Sequence, residues 1–205
     1  MDQCLQSYAC QKHLNGVEIY LDDFKIGTIA QIDDVQQYTF DVERSGQVVL
    51  LNKTTKFLSL AEVKVISLEN LPESDLTKAK QSSTYCNITT CYNASRGIDG
   101  DDNTMSITAF GTGNHWWSVS IEPNFVVHHV ILKAGKGSPD DIIVALYKGV
   151  LAGQCGTHHG KRDTLTLKCP KVFADEVVLT VNSSKSVRLH VYKINVVGYR
   201  LGEYV

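Results

Sequence analysis

The sequence predicts an all-β protein, and two observations lead to this prediction. Short segments rich in Val, Ile, Leu, Phe and Tyr recur along the whole chain, separated by turn residues such as Gly, Asn, Asp and Pro. No long stretch has the periodicity of an amphipathic helix, about 3.6 residues. The clearest segments lie at residues 16–21, 38–42, 47–51, 57–66, 116–121, 126–133, 142–147, 177–181 and 188–197. We expect these segments to form β-strands.

An internal repeat indicates how the strands are grouped. Residues 48–65 resemble residues 177–196 once small gaps are allowed, and residues 15–21 resemble residues 140–147. The first part of the chain has no counterpart of an acidic loop and a tryptophan pair that the second part contains. The first part therefore corresponds to only the C-terminal half of the module that the second part contains whole.

The repeat predicts a division into four parts. These are a partial module at residues 1–68, a linker at residues 69–76, a complete module at residues 77–199 and a tail at residues 200–205. The linker is polar, and its Pro72 blocks continuation of a strand. Half a module leaves a sheet edge and an apolar face uncovered. We expect its missing strands to lie upstream in a longer protein or to come from another chain.

The composition is that of an ordinary folded domain. The chain has 205 residues, of which 43% are hydrophobic and 20% charged, and a net charge of −2. These values argue against disorder and against nucleic acid or an anionic membrane as a partner. No apolar run approaches membrane-spanning length. Because the chain also lacks the nucleophile, phosphate-loop and zinc-protease motifs, we expect a protein that is not an enzyme.

The chain contains an even number of cysteines, six in all. Pairing of neighbours in sequence predicts three disulfides, Cys4–Cys10, Cys86–Cys91 and Cys155–Cys169. None of the cysteines forms a C-x-x-C pair, which makes a zinc or redox site a weak interpretation. Disulfides of this kind are typical of an oxidising, extracellular compartment. The alternative, a cytosolic protein with reduced thiols, stays open at this point.

Four sequons for N-glycosylation accompany the cysteines. They lie at Asn52, Asn87, Asn93 and Asn182. Together with the cysteine count they favour a secreted or cell-surface protein. The first residues of the chain are polar and are not a secretory signal. We therefore expect this chain to be a fragment of a longer protein.

The most informative stretch covers residues 93–121. It opens with a small-residue turn and an acidic loop, continues through a segment rich in Gly, Thr and Asn, and ends in a tryptophan pair that leads into an alternating strand. In such a strand at least one tryptophan points to the core, and we expect this of Trp117. By the same alternation, the adjacent His128 and His129 should face opposite sides of their strand and should not chelate a metal.

Five short motifs follow one another in the second part of the chain. They are Q-S-S-T-Y at residues 81–85, A-S-R-G-I-D-G-D at 94–101, W-W-S-V-S-I at 116–121, L-x-C-P at 167–170 with Cys155 before it, and L-H-V-Y-K-I-N-V at 189–196. In this order and spacing they resemble the F-type lectins (fucolectins) and, more distantly, the discoidin modules of coagulation factors. The resemblance implies a jelly-roll β-sandwich whose binding loops cluster at one end.

The resemblance also implies a sugar site at that end, in altered form. F-type lectins hold a fucose-type sugar with a His before the tryptophan pair and two Arg around a D-C-C element. Here the loop is shortened, the only nearby His is His115, and the second element lacks both Arg and both Cys. Lys133 or Lys136 is a substitute cation, although Lys lacks the planar fork of Arg. Trp116 is a candidate to stack on the sugar.

A structural calcium ion is the cofactor that the resemblance implies. Its loop oxygens map onto the Arg96 carbonyl, the Asp99 carboxylate and the Asp101 carbonyl. The family closes the site with a Glu, and this sequence has Lys193 there. A cation at that position repels calcium, so our hypothesis is that Lys193 replaces the metal and pairs with Asp99.

The sequence thus predicts an extracellular carbohydrate-binding module with an altered or lost fucose site. Its partners are then glycans or glycoproteins. The alternative is an adhesion or structural module of a larger secreted or surface protein, which uses the same loop end to bind a protein and not a sugar.

Overall fold

In the computed structural model the chain divides into two compact units, Met1–Val65 and Ile66–Val205. The structure describes residues 16–29, 38–40, 42, 46–54, 63–66, 68–135, 137–158 and 164–200. Cys4, Cys10 and Lys136 lie outside these residues, so the predictions made for them stay predictions. Within the described residues no helix is long and apolar enough to cross a membrane.

The first unit contains a small antiparallel sheet. Strands β1 (Glu18–Leu21), β2 (Phe24–Thr28) and β3 (Val49–Asn52) pair in the order β2-β1-β3. Asp22 adopts a left-handed conformation (φ 51°) in the tight turn between β1 and β2. Its carboxylate accepts hydrogen bonds from the backbone N–H groups of Gln47 and Val48, which fixes the start of β3. Val17, Ile19 and Ile29 form a small buried core.

The second unit contains the remaining strands in one hydrogen-bonded system. These are β4 (Glu69–Asn70), β5 (Thr77–Gln81), β6 (Ser106–Ile107), β7 (Gly111–Ala134), β8 (Ile142–Lys148), β9 (Val150–His158), β10 (Thr164–Val187) and β11 (His190–Arg200). The main path runs β4-β11-β7-β10-β8-β9, with β5 on β7 and β6 on β11, and all pairs are antiparallel.

Two long strands, β7 and β10, carry the chain through both layers of the sandwich. They stay paired from Gly111↔Val187 to Lys133↔Thr164, with register shifts where both strands bend near Phe125↔Ala174. Before its bend β7 also pairs with β5, and after it with β11. The sheet thus folds over on itself. The apolar faces of the two halves enclose one core, which includes Trp117, Val119 and Leu179 from the first layer and Leu132 and Ile194 from the second.

This topology gives the second unit two distinct ends. We call the end where β7 and β10 start and finish the loop end, and the end where both strands bend the bend end. The all-β prediction is confirmed, and the expected strands at residues 116–121 and 126–133 are the two halves of the single strand β7.

The linker predicted at residues 69–76 is wrong. Glu69–Asn70 pairs with β11, and a 3₁₀ helix follows at Glu73–Asp75. Leu71 and Leu76 are each only 4% exposed and belong to the core. The polar composition misled the prediction because the exposed residues outnumber the two buried leucines. The predicted tail also begins one residue too early, since Arg200 is the last residue of β11.

The two adjacent histidines of β7 do not face opposite sides of the strand. His129 pairs with Lys168 on β10 and with Val197 on β11, whereas the next pairs on both sides involve Val127. Relative to β11, where the partners Val197 and Gly198 are consecutive, His128 is an extra residue, a β-bulge, and a bulge interrupts the alternation of side chains. The two Nδ1 atoms consequently lie 2.8 Å apart.

Two of the three predicted disulfides are present in the described part of the chain. Cys86–Cys91 closes a short hairpin at the loop end, where the two residues also form an isolated β-bridge. Cys155–Cys169 connects β9 to β10, which are not direct neighbours in the sheet. Both halves of this second disulfide are buried.

Candidate functional site

The loop end is built from segments that the backbone ties together one after another. Tyr85 N–H donates to the Ile107 carbonyl at 2.9 Å, Tyr92 N–H donates to the Tyr85 carbonyl at 2.9 Å, and Ile107 N–H donates to the Tyr92 carbonyl at 3.1 Å. Gln81 reinforces this arrangement, because its side-chain amide donates to both the Tyr92 and Ile107 carbonyls. The segment before β7 is therefore fixed against the disulfide-closed hairpin at Cys86–Cys91.

The same segment is also fixed to the start of β11, through Thr108. The Thr108 N–H donates to the Leu189 carbonyl at 3.0 Å, and the Leu189 N–H donates to Thr108 Oγ1 at 2.9 Å. These two hydrogen bonds between Thr108 and Leu189 bring Phe110, two residues after Thr108, and Arg188, the residue before Leu189, to the same place on the surface.

Phe110, Arg188, Tyr85, Tyr92 and Arg96 form what we call the aromatic–arginine cluster. The Arg188 guanidinium carbon lies 3.9 Å from the ring centre of Tyr85 and 5.5 Å from that of Phe110. Tyr85 in turn stacks on Tyr92 with ring centres 5.6 Å apart, and Arg96 covers the Tyr92 ring at 5.2 Å. Cation–π contacts of this kind stabilise a guanidinium without consuming its hydrogen-bond donors.

Phe110 supplies the exposed apolar part of this cluster, and Arg188 supplies its polar part. The Phe110 side chain is 64% exposed. Arg188 is half-buried, its Nε is a buried donor without a hydrogen-bond partner, and within the described residues no carboxylate forms an ion pair with it. An arginine held by rings and not by carboxylates retains donors for a ligand.

His115, the predicted sugar-binding histidine, does not face solvent. Its side chain is 5% exposed, and both ring nitrogens are used inside the protein. Because the Gly111 carbonyl can only accept, His115 Nε2–H donates to it at 3.0 Å, and in this tautomer Nδ1 accepts the Thr108 hydroxyl proton at 3.2 Å. His115 is therefore a positioning residue for the loop, and its contact with a ligand stays a prediction.

The predicted sugar-binding cation Lys133 is also engaged elsewhere. Its Nζ lies 3.6 Å from Asp102 Oδ2 and 5.7 Å from the centre of the Tyr192 ring. Lys133 thus belongs with the acidic loop and not with the aromatic–arginine cluster. Trp116 is half-buried beside Ser82, whose hydroxyl accepts its backbone N–H, and its contact with a ligand stays a prediction.

The three predicted calcium ligands do come together, around the hydroxyl of Thr104. Thr104 Oγ1 lies 2.6 Å from Asp99 Oδ2, 3.2 Å from the Asp101 carbonyl and 3.3 Å from the Arg96 carbonyl. Asp99 Oδ1 accepts the Asp101 N–H at 3.0 Å, and the Asp101 carbonyl accepts the Thr104 N–H at 3.1 Å. The single Thr104 hydroxyl proton goes to the nearest of these oxygens, Asp99 Oδ2, so the Asp99 carboxylate and the Asp101 carbonyl each accept a hydrogen bond from a protein donor.

This arrangement does not fit a calcium ion. Calcium takes six to eight oxygen ligands, and the loop offers one carboxylate, two carbonyls and one hydroxyl. Within the described residues no group of three or more His, Cys, Asp or Glu side chains is placed to hold a metal ion.

Lys193 forms the ion pair that the sequence suggested, but with other partners. Its Nζ lies 2.9 Å from Glu73 Oε1 and 3.3 Å from Asp102 Oδ1, whereas Asp99 is held by Thr104 and Asp101. The Glu73 hydrogen bond raises the pKa of Lys193, and the hydrogen bond from Lys193, with the charge of Lys133, lowers the pKa of Asp102. The prediction of Asp99 as the partner is wrong, because the Asp99 carboxylate is held by Thr104 and Asp101. Glu73 was not considered as a partner because it lies in the stretch assigned to a linker.

All four sequon asparagines are exposed. Asn87 lies in the hairpin that Cys86–Cys91 closes, where its side-chain oxygen accepts the N–H groups of Thr89 and Thr90. Glycosylation at these positions stays a prediction.

Arg188, Phe110 and Tyr85 were not predicted as site residues from the sequence. They lie away from the positions at which F-type lectins carry the residues that bind sugar. One usable signal was an aromatic residue in the Gly- and Thr-rich loop before β7, since a large apolar side chain in such a loop has little core to fill.

Comparisons with solved structures find the fold of the second unit in several sugar-binding modules. No protein-family model and no curated protein matches the chain. Among solved structures, a family 32 carbohydrate-binding module of Clostridium perfringens in complex with galactose is similar, with a TM-score of 0.54 and 19% identity over 64% of this chain and 99% of that one. A fucose-binding module of Streptococcus pneumoniae has a TM-score of 0.53 and 17% identity over 64% and 96%.

The lectin domain of lectinolysin, in complex with Lewis b antigen, is a third similar structure. It has a TM-score of 0.53 and 20% identity over 64% of this chain and 97% of that domain. At such identities the likeness concerns the fold, and it agrees with the bent, two-layered sheet described above. The chain therefore contains a β-sandwich module of the discoidin-like galactose-binding fold, as the sequence motifs implied.

Proposed function

We propose that the second unit is an extracellular carbohydrate-binding module and that its sugar lies on the aromatic–arginine cluster at the loop end. One observation carries the proposal: the Arg188 guanidinium is held between Tyr85 and the exposed ring of Phe110 and has no carboxylate partner in the described part of the chain. Sugars have apolar C–H faces that stack on rings and hydroxyl groups that accept hydrogen bonds from arginine. The fold neighbours bind galactose, fucose-type and Lewis b sugars.

The binding residues are not those of an F-type lectin. His115 is buried and Lys133 is paired with Asp102, so the fucose triad of that family has no equivalent among these residues. Arg188 and Phe110 reach the loop end from the segments before β11 and β7. A site rebuilt in this way is expected to differ from F-type lectins in its sugar preference, because donors and ring stand in new positions.

The proposal is tested by titrating the secreted, disulfide-bonded chain with galactose, fucose and Lewis b oligosaccharide. Arg188→Ala and Phe110→Ala should each weaken binding at least about tenfold, in line with the loss of a buried anchor. Lys148 lies 4.8 Å from the centre of the Phe173 ring near the bend end, and Phe173→Ala is a matched control that should bind like the wild type.

Phe110→Ala is the more informative of the two variants. Because the ring is mostly exposed, its removal should leave the melting temperature nearly unchanged, so a loss of binding cannot be ascribed to unfolding. Wild-type binding by both variants would overturn the assignment of the site. Absence of binding to every sugar of an array, with the glycans of Asn87 and Asn93 removed, would overturn the carbohydrate function itself.

A second function, binding of a protein partner, is favoured by one feature of the same end. Ile88, at the tip of the hairpin that Cys86–Cys91 closes, is fully exposed, and Phe110 is the next apolar side chain exposed there. Apolar residues at loop tips are typical anchors of protein interfaces. Under this alternative Ile88→Ser abolishes cell or protein adhesion and leaves sugar binding unchanged.

A further inference from the structure

Lys193 of β11 lies at the centre of a charge cluster beside the acidic loop. It contacts Glu73, from the 3₁₀ helix before β5, and Asp102, from the loop itself. Lys133, which is paired with Lys193 across the β7–β11 ladder, adds a second cation to Asp102. Two ammonium groups and two carboxylates therefore connect four segments of the chain: the 3₁₀ helix, the acidic loop, β7 and β11.

Glu73 also lies directly against the backbone of the loop. A Cβ atom at Gly100 would be 2.8 Å from Glu73 Oε2, so the Glu73 carboxylate lies against the backbone at this glycine. Gly100 has a φ of 78°, a left-handed conformation that glycine adopts without strain. The carboxylate of Glu73 is thus placed between the loop and the Lys193 ammonium.

These contacts leave no place for a divalent cation. The oxygens of Asp99 and Asp101 accept hydrogen bonds from the loop's own donors, and the two carboxylates next in reach, Glu73 and Asp102, are neutralised by lysines. A calcium ion at the loop would lie close to two ammonium groups, which repel it.

We propose that the Lys193 ammonium does in this module the work of a structural metal ion: it holds the acidic loop to β11 through Glu73 and Asp102, and the loop end folds without calcium. This inference concerns the scaffold, and it holds whether the ligand of the loop end is a sugar or a protein. It also reassigns Glu73 as the carboxylate that completes the cluster.

The first arm of the test is a melting experiment on the wild-type chain in EDTA and in calcium at about 5 mM, a concentration that saturates even weak extracellular sites. The melting temperature should be the same in both. A calcium-dependent rise of more than about 2 °C, which binding to the folded state would produce, would overturn the proposal.

The second arm asks whether Lys193 is the group that excludes the metal. Lys193→Glu places a third carboxylate beside Glu73 and Asp102, so the variant should be less stable than the wild type in EDTA and should gain a calcium-dependent rise in melting temperature of several degrees, about 3 °C or more. Lys185→Glu makes the same charge change at an exposed position of β10 and should gain no such rise. If Lys193→Glu shows no calcium effect, Lys193 is not what replaces the metal.

A third variant tests the ion pair between Lys193 and Glu73 directly. Lys193→Met removes the cation without adding a carboxylate, so it should lower the melting temperature in EDTA, and the simultaneous change Glu73→Gln should recover part of the loss. Independent, additive losses in the double variant would contradict a direct link between these residues.

Discussion

At the scale of single residues, the loop end depends on the contact between Trp117 and Gly97. The Trp117 indole is fully buried, and its Nε1–H donates to the Ala94 carbonyl at 3.0 Å. Ala94 and Gly97 are the first and last residues of a one-turn 3₁₀ helix, Ala94–Gly97, which leads into the acidic loop. The buried Trp117 ring thus fixes the start of the acidic loop to the core of the module.

Gly97→Ala should destabilise the second unit by about 1–3 kcal/mol, the usual cost of overpacking a core. A Cβ at Gly97 would lie 2.9 Å from Trp117 Cζ2 and 3.2 Å from Val191 Cγ1, and neither buried side chain can move away. The measurement is the free energy of unfolding from a urea titration. Gly111→Ala is the matched control, because its nearest neighbour is His115 Cε1 at 3.9 Å; equal losses in both variants would contradict the packing argument.

The positions of Trp117, His115 and Lys133 in the fold could be predicted from the sequence to different degrees. The burial of Trp117 was predictable, because alternation along a strand places one residue of an adjacent pair in the core. The roles of His115 and Lys133 were not, since each is decided by a partner far away in sequence: Leu189 reaches His115 through Thr108, and Asp102 pairs with Lys133. A family motif fixes the position of a residue in the chain but not the direction of its side chain.

At the scale of elements, the long paired strands β7 and β10 determine the shape of the module. The alternating segments were recognisable, but their fusion into two bent strands was not, because a bend appears only where two partner strands shift register together. The bulge at His128 is of the same kind. It depends on the pairing of β7 with β11, and no local pattern in the sequence predicts it.

The two disulfides should differ in their contribution to stability. Cys155–Cys169 closes a loop of about 15 residues and should contribute about 3 kcal/mol, whereas the shorter loop of Cys86–Cys91 should contribute about 2 kcal/mol in the loop-entropy account. The double variants Cys155→Ala/Cys169→Ala and Cys86→Ala/Cys91→Ala test this by urea unfolding. The first pair is buried and its variant also leaves a small cavity, so a larger loss for the second pair would contradict the ranking.

At the scale of the whole module, two separate networks of ion pairs lie at the two ends of the sandwich. At the loop end Lys193 and Lys133 hold the acidic loop. Elsewhere Arg200, the last residue of β11, contacts Glu69, Asp75 and Glu122, and so connects the segment before β5 to the bend of β7. Of these two networks the sequence predicted only the cation at Lys193, because Glu73 and Asp75 stand in the stretch assigned to a linker.

The fold class was the most predictable property at this scale. It follows from many weak local signals that agree with one another, whereas a binding site depends on a few side chains that differ between relatives. The shared architecture is found again in sugar-binding modules at 17–20% identity. Our proposal for the binding site is therefore based on the contacts of Arg188 and Phe110 and not on the family motif.

Stability should depend on pH in two separate windows. Burial, with the charge of Arg188, lowers the pKa of His190. Its folded-state pKa is then below the unfolded value of about 6.5, so the unfolded chain binds the proton more readily and stability falls as the pH drops below about 6.5.

Hydrogen bonds from Arg200 and Lys193 lower the pKa values of Asp75 and Asp102. Their stabilisation is complete above the unfolded value of about 4 and is lost as the pH falls through the folded-state pKa values.

Urea midpoints of the whole chain measured between about pH 8 and pH 3 should therefore stay level at first, decline below about 6.5, and decline again below about 4. His190→Gln should remove the first decline and keep the second, because an amide does not titrate. Arg200→Met should keep the first and weaken the second, since Asp75 loses the partner that lowers its pKa. The assignment to His190 fails if the decline between about pH 6.5 and pH 5 persists in His190→Gln, because another group must then take up the proton.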